Sequence, residues 1–486
     1  MCVAHPHADV APHDHANDHS HGHAEHATGS IADTLRRIAE AVTPAEAAQA
    51  QADYLAGQPE VLDKAIKSYV PGFIGFGNTK PGDKVLIAVD SLMDLTITKA
   101  IATSLRAKGA IVDMIVLDGG PDRRIEQDDE IGANIRREAW VGRELEYPYR
   151  RYLEIPWVTK LVEEGNYDLH VQGRAYPSFT DFRWEGHPWQ QMDHFLSDAN
   201  NFPRELHELI NSKAWDPVWN RGQGARVRVT DVEGTDFSYT LLPEYWEPGV
   251  MNWFEENPSI GHLMYHPGPP VSKFEDATGV IKGTIAHFSR PFPQLTATMV
   301  NGRIESVEGG GAYGDGWRAL LEETREIQYT QFPDKGLFWL WEVAVGTNPK
   351  IRRSPSIERV SSGGTEWERW RSGIMHLGFG TAGPSEAENW AGAQGYPYGH
   401  LHMHMMMPTV EITHADGTVE VPIRDGHLAA LDDPEVRACA AKYGDPDMLL
   451  HEDWVPTIPG INAEGDYRVY ASDPPRWFSE LEQDPS

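Results

Sequence analysis

His400, His402 and His404 alternate in the run YGHLHMHMMMP. In an extended strand, alternate side chains share one face, so a strand here would bring three imidazoles within reach of one ion. Neutral imidazole is a good ligand for late transition metals. Rings buried side by side need an ion or hydrogen bonds to offset their desolvation. Two further segments offer ligands. LFWLWEVAVGTN sets a single carboxylate, Glu342, inside an apolar strand, and IMHLGFGTAG sets His376 in an apolar, glycine-flanked run. A buried carboxylate needs a cation or hydrogen-bond donors; a core ion pair for Glu342 and a hydrogen-bonded core ring for His376 are the plainer alternatives. In ENPSIGHLMYHP, His262 and His266 stand between prolines, which reads as a loop, and loop imidazoles suit proton transfer. The residues thus point to Glu342, His376, His402 and His404 as metal ligands, with Glu342 or His376 completing the shell, and to His262 and His266 as acid/base groups.

Such residues need elements to hold them. Residues 1–30 carry eight histidines with almost no large apolar side chain, so they are expected to be a disordered tail that could buffer a divalent ion. From Ile31 apolar residues recur at three and four positions, which predicts two helices. KVLIAVDS, then LTITKAIATSLRAKG closed by Gly109, then AIVDMIVLDGG reads strand, helix, strand, and YDLHVQG reads as a further strand. That pattern predicts an α/β domain with an open parallel sheet over residues 31–224. No G-x-G-x-x-G turn follows the first strand, so no dinucleotide site is indicated. From Ala225 the residues alternate polar and apolar, with Glu233-Gly234 as a turn. An α+β, β-rich, metal-binding domain is expected over 225–428, and a helix plus a Pro-rich acidic extension over 429–486. The run GGGAYG at 309–314 reads as a turn.

Composition narrows the function. The 486 residues carry 73 acidic against 42 basic side chains, a formal charge of -31. That field repels polyphosphate and anionic lipid, so neither nucleic acid nor membrane is an expected partner. Cys2 and Cys439 are the two cysteines, too few for a thiolate cage, which leaves any metal to His and carboxylate. Mean hydropathy is -0.48 and the N-terminus lacks an apolar signal core, so a cytoplasmic protein is expected. A long acidic extension and exposed hairpins suit a homodimer. Trp253, Trp339, Trp341, Trp367, Trp370 and Trp390 could wall a planar pocket, and Arg352, Arg353, Arg369 and Arg371 could anchor a ring carboxylate.

Taken in order, these segments resemble the thermophilic metallo-aminopeptidase superfamily of the aminopeptidase T type, and more nearly its 2,5-dihydroxypyridine 5,6-dioxygenase-like branch. NPSIGH resembles the family's N-P-x-G-E loop, WEVAVGTN its G-E-x-x-x-G-x-N strand, HLGFG its H-x-A-x-G segment, and HMHMM with ADGTVEVPI its H-x-D-x-M strand and following hairpin. The resemblance covers roughly residues 240 to 428. The departures also matter. The peptidase loop Glu is His262, the strand Asp is His404, and the expected tyrosine falls at Gly383. A dinuclear peptidase site needs bridging carboxylate charge, whereas an imidazole-rich set with one carboxylate is similar to the shell of non-haem Fe(II) oxygenases. The resemblance therefore implies an Fe(II) dioxygenase that cleaves a small dihydroxylated aromatic or N-heteroaromatic ring with O2. The alternative is an aminopeptidase or amidohydrolase in which Zn, Co or Mn activates water.

Overall fold

The computed structural model describes residues 59–67, 79–90, 95–117, 164–172, 183–186, 195–247, 262–266, 275–285, 291–351, 370–381, 386–452 and 458–474, with a few isolated positions besides. The chain divides into two compact units, Met1–Pro59 and Glu60–Ser486. The His-rich run of residues 1–30 and the helix expected from Ile31 lie outside the described residues. Among the described residues no helix is long and apolar enough to cross a membrane.

The second unit is mixed α/β, with one parallel sheet and two antiparallel ones. Strand β1 (Lys84–Asp90), helix α1 (Leu95–Ala107) and strand β2 (Ile111–Leu117) succeed one another as the apolar runs predict. Ile97, Ala100, Ile101 and Leu105 are fully buried, the spacing of one helix face. Gly109 ends the turn at φ 94°, a conformation that costs a residue with a Cβ. With β3 (Leu169–Gln172) and β4 (Arg183–Gly186), these strands form a parallel sheet in the order β2-β1-β3-β4.

The larger antiparallel sheet begins with the hairpin β5 (Arg226–Thr230) and β6 (Asp236–Thr240). Next in the chain is β7 (His262–His266), which belongs to the second antiparallel sheet. Then come β8 (Thr278–Ile285), β9 (Pro291–Val300) and β10 (Arg303–Gly309). Strands β11 (Leu340–Gly346), β12 (Met375–Gly380) and β13 (His400–Met405) complete the second sheet. Its order is β13-β12-β11-β7, and the larger sheet runs β10-β9-β8-β6-β5, continued by the strands from Thr409–Thr413 to His427–Leu428.

Two local readings of the sequence change. The prolines around His262 and His266 suggest a loop, yet these residues form β7, because β11 supplies an antiparallel partner, Gly346 opposite His262. The glycine run at 309–314 is not a plain turn: it opens helix α2 (Gly311–Thr324). Gly309, Gly310 and Gly311 all have positive φ, and a Cβ on Gly314 would stand 2.0 Å from the Gly309 carbonyl oxygen. Glycine is needed there to fold the chain back from β10 into the helix.

The second sheet has two unlike faces. Val343 and Val345, Met375, Leu377 and Phe379, and Leu401, Met403 and Met405 occupy alternate positions and all enter the main hydrophobic core. Each such side chain stabilises the fold by roughly 1.5–3 kcal/mol on burial. The sheets meet closely on this side, since a Cβ on Gly283 of β8 would come within 2.5 Å of the Met403 sulfur. The other face carries Glu342, Ala344 and Gly346, then His376, Gly378 and Gly380, then His402 and His404. Period-2 alternation thus separates a packing face from a chemical one.

Candidate metal centre

Register builds the centre. In β12 and β13, His376 lies opposite His404, and Gly378 opposite His402. In β11 and β12, Glu342 lies opposite Gly378, and Ala344 opposite His376. Glu342, Gly378 and His402 therefore form one row across three strands. Because the middle position lacks a side chain, the Glu342 carboxylate and the His402 ring approach across it, Nε2 to Oε2 3.5 Å. His376 Nε2 lies 3.0 Å from the same oxygen, and His262 Nε2 lies 3.3 Å from Oε1. His376 also meets His404, Nδ1 to Nε2 at 2.7 Å. The His376 ring sits 4.5 Å from that of His402 and 5.2 Å from that of His262, centre to centre.

His262, Glu342 and His376 form a cluster that could hold a metal ion: one donor atom from each lies within 4.8 Å of the others. His376 and His404 are fully buried, and His402 nearly so. The side chains of His262 and Glu342 keep about a tenth of their surface exposed.

Electrostatics leaves these groups in ligand-ready states. Burial alone would raise the Glu342 carboxyl, but the His376 ring and the hydrogen bonds from His262, His376 and His402 outweigh it and hold the group well below the usual carboxylate range. Burial pushes His376 well below the usual imidazole value; Glu342 pulls upward, while His402 and His404 add to the depression. A carboxylate and a neutral imidazole are the forms that bind metal. A neutral ring has one donor and one acceptor nitrogen. His376 thus donates from Nε2 to Glu342 and accepts at Nδ1 from His404, and hydrogen bonds run in one direction from His404 to Glu342.

His266 stands elsewhere. The β7–β11 register shifts between Val343 and Ala344, so Met264 lies opposite Ala344 but His266 lies opposite Val343. Tyr265 is the extra residue of this bulge, and it turns His266 to the core face of the sheet. There His266 Nε2 meets Glu275 Oε2 at 2.9 Å and the Tyr245 hydroxyl at 3.1 Å. The other expected residues scatter. Trp339 is buried in the core, Trp390 packs at its margin, and Trp370 packs with Ala199 and Ile351. Arg371 is buried and donates to the Ser372 carbonyl. Trp253, Trp367, Arg352, Arg353 and Arg369 lie outside the described residues. The sequence reading missed the glycine and alanine floor, although E-V-A-V-G and H-L-G-F-G display it at period 2.

No protein-family model and no curated protein matches this chain. Among solved structures it is similar to a 2,5-dihydroxypyridine dioxygenase from Pseudomonas putida KT2440, at 11% sequence identity and a TM-score of 0.43, over 76% of this chain and 96% of that one. It is also similar to wild-type AmpT from Thermus thermophilus, at 14% identity and a TM-score of 0.42, over 76% of this chain and 99% of that one.

Proposed function

We propose that this chain is a metal-dependent enzyme that holds one divalent ion, Fe(II), through His262, Glu342 and His376, and that it opens a dihydroxylated aromatic or N-heteroaromatic ring with O2. One observation carries the reading: a single carboxylate converges with two imidazoles within 4.8 Å, on a face that otherwise carries Gly378, Gly380 and Ala344. Two imidazoles and one carboxylate are the donor set of non-haem Fe(II) oxygenases, and they leave coordination positions open. A second dication close by would need bridging carboxylate charge, which this set does not supply.

The residues present fit such an ion, since one carboxylate and two imidazoles bring their donor atoms within 4.8 Å of one another. When bound, Fe(II) supplies Lewis acidity and an electron path between a chelated ring and O2. The protein supplies the rest. Gly378 puts no side chain between Glu342 and His402 in their cross-strand row. Burial of His376, His402 and His404 keeps water from the reacting groups. His402 lies beside Glu342 but outside the three-residue set; with the Glu342 carboxylate given to the metal, its ring can carry its own proton on Nδ1 and accept one at Nε2 from a substrate hydroxyl. This assignment exchanges two roles read from the sequence, with His262 now a ligand and His402 the proton acceptor.

The test is anaerobic reconstitution with Fe(II), followed by oxygen-electrode traces on dihydroxypyridines, catechols and hydroquinones. The expected result is one O2 consumed per ring opened. Release of amino acids from aminoacyl amides under argon with Zn, Co or Mn, together with no O2 uptake on any ring, overturns the proposal in favour of a hydrolase.

A further inference from the structure

We propose that His404 is a positioning residue that acts through His376 and does not itself bind the metal. The inference rests on the metal-centre reading and extends it by one residue.

The geometry of His376 separates the two roles. Its Nε2 faces Glu342 Oε2 at 3.0 Å, and its Nδ1 faces His404 Nε2 at 2.7 Å. The lone pairs of the two ring nitrogens point away from each other. An ion shared by Glu342 and His376 therefore takes the Nε2 side, and the body of the His376 ring separates it from His404. His402 differs, since its Nε2 lies beside Glu342 Oε2 itself, on the metal side.

Once Nε2 is given to a metal, the proton of a neutral ring must sit on Nδ1. In a fully buried position that N–H needs an acceptor, and His404 Nε2 is in place. Metal-bound histidine commonly donates its second N–H to a carboxylate, a carbonyl or water, which fixes the tautomer and ring orientation. Here an imidazole takes that part. A neutral acceptor adds no second negative charge, so Glu342 remains the anion of the set. The facing register of the two residues in β12 and β13 holds the pair together.

The test titrates the full-length chain anaerobically with Co(II) alone and follows its ligand-field absorption, for wild type, His376→Ala, His404→Ala and His404→Gln. Wild type is expected to take one Co(II) per chain, and His376→Ala to lose tight binding. Loss of an outer partner weakens metal affinity by about 10- to 100-fold, so His404→Ala should do so with its absorption bands in place. His404→Gln should recover most of the affinity, because its amide oxygen can accept from Nδ1–H at a similar reach. A His404→Ala chain that loses Co(II) as fully as His376→Ala, or binds it with displaced bands, makes His404 a ligand and overturns the proposal. Unchanged affinity in His404→Ala overturns it as well. If His404→Ala does not fold, His404→Gln decides alone: wild-type bands and near wild-type affinity support the proposal, and new bands end it. Wild type that takes no Co(II) strikes instead at the metal-centre reading, so the two failures stay distinct.

Discussion

Strand β7 ends in two histidines four residues apart, and they serve two different buried clusters. His262 joins Glu342 and His376 on the chemical face of the sheet; His266 joins Glu275 and Tyr245 on the core face. Both clusters pair imidazole with one carboxylate. They differ in what else holds the carboxylate. Glu275 accepts from the Tyr245 hydroxyl at 2.7 Å, and its second oxygen accepts from the backbone N–H groups of Asp276 and Ala277, both at 3.1 Å. Backbone donors do not leave. Around Glu342 stand three imidazoles at 3.0 to 3.5 Å, each able to exchange its hydrogen bond for a metal bond. Residue type alone therefore does not tell the two clusters apart.

The sharpest way to break this comparison is to remove each carboxylate. Glu342→Ala should abolish metal retention and turnover, seen as a fall from one ion per chain to near zero by elemental analysis, while the chain stays folded. Glu275→Ala should do the opposite. It leaves His266 and Tyr245 buried without their acceptor, at a cost of about 3–5 kcal/mol in a denaturant series, with metal content per folded chain retained. The acid limb gives a second check. Burial raises the Glu275 carboxyl, but His266, Tyr245 and the backbone bonds prevail and bring it down to about 2. Its contribution is therefore complete above its unfolded value near 4.5 and is lost as pH falls through about 2. Glu275→Gln should flatten that part of the stability profile.

A smaller change tests the floor. Gly378 separates Glu342 from His402 in one cross-strand row. Gly378→Val would put a branched side chain between them and leave the core face untouched. Misplacing reacting groups by about 1 Å can cost about 100-fold in rate, and a loss of that order is expected in turnover at nearly unchanged thermal stability. Wild-type turnover in this variant would mean that the row is not used.

Much of this was legible in the chain itself. The apolar runs at 84–90 and 111–117 and the intervening amphipathic helix announced the parallel sheet, because short-range periodicity decides such elements. The alternation in β13 likewise announced that His402 and His404 share a face. What the sequence could not reveal depends on pairing between distant strands. The bulge at Tyr265 exists only against β11, so nothing local says that His266 turns away from His262. Glu275, in KFEDATG, carries no motif; only folding brings it beside Tyr245 and His266. The glycine helix start was hidden for a related reason, since three positive φ angles in succession look like a turn until the next helix packs against β9 and β10.

An exposed histidine completes the comparison with the smallest expected effect. His427 lies 2.8 Å from both Glu452 and Asp432. The hydrogen bond to Glu452 raises it first, partial burial opposes, and the bond to Asp432 adds, so its value is pushed up to about 9. At His376 burial wins, and the shift is downward. With two carboxylates and water close by, His427 stays charged instead. The folded state holds that proton more tightly than the unfolded one. Its stabilisation is therefore complete below about 6.5, the unfolded imidazole value, and is lost as pH rises through about 9. The side chain is 45% exposed, and solvent screening keeps the effect to about 1 kcal/mol or less. His427→Gln should therefore be less stable than wild type at pH 6 and equal to it at pH 10 in urea midpoints, with metal content unchanged at both. An equal gap at the two pH values would show that His427 contributes by packing and not by charge, and the contrast with His376 would lose its exposed member.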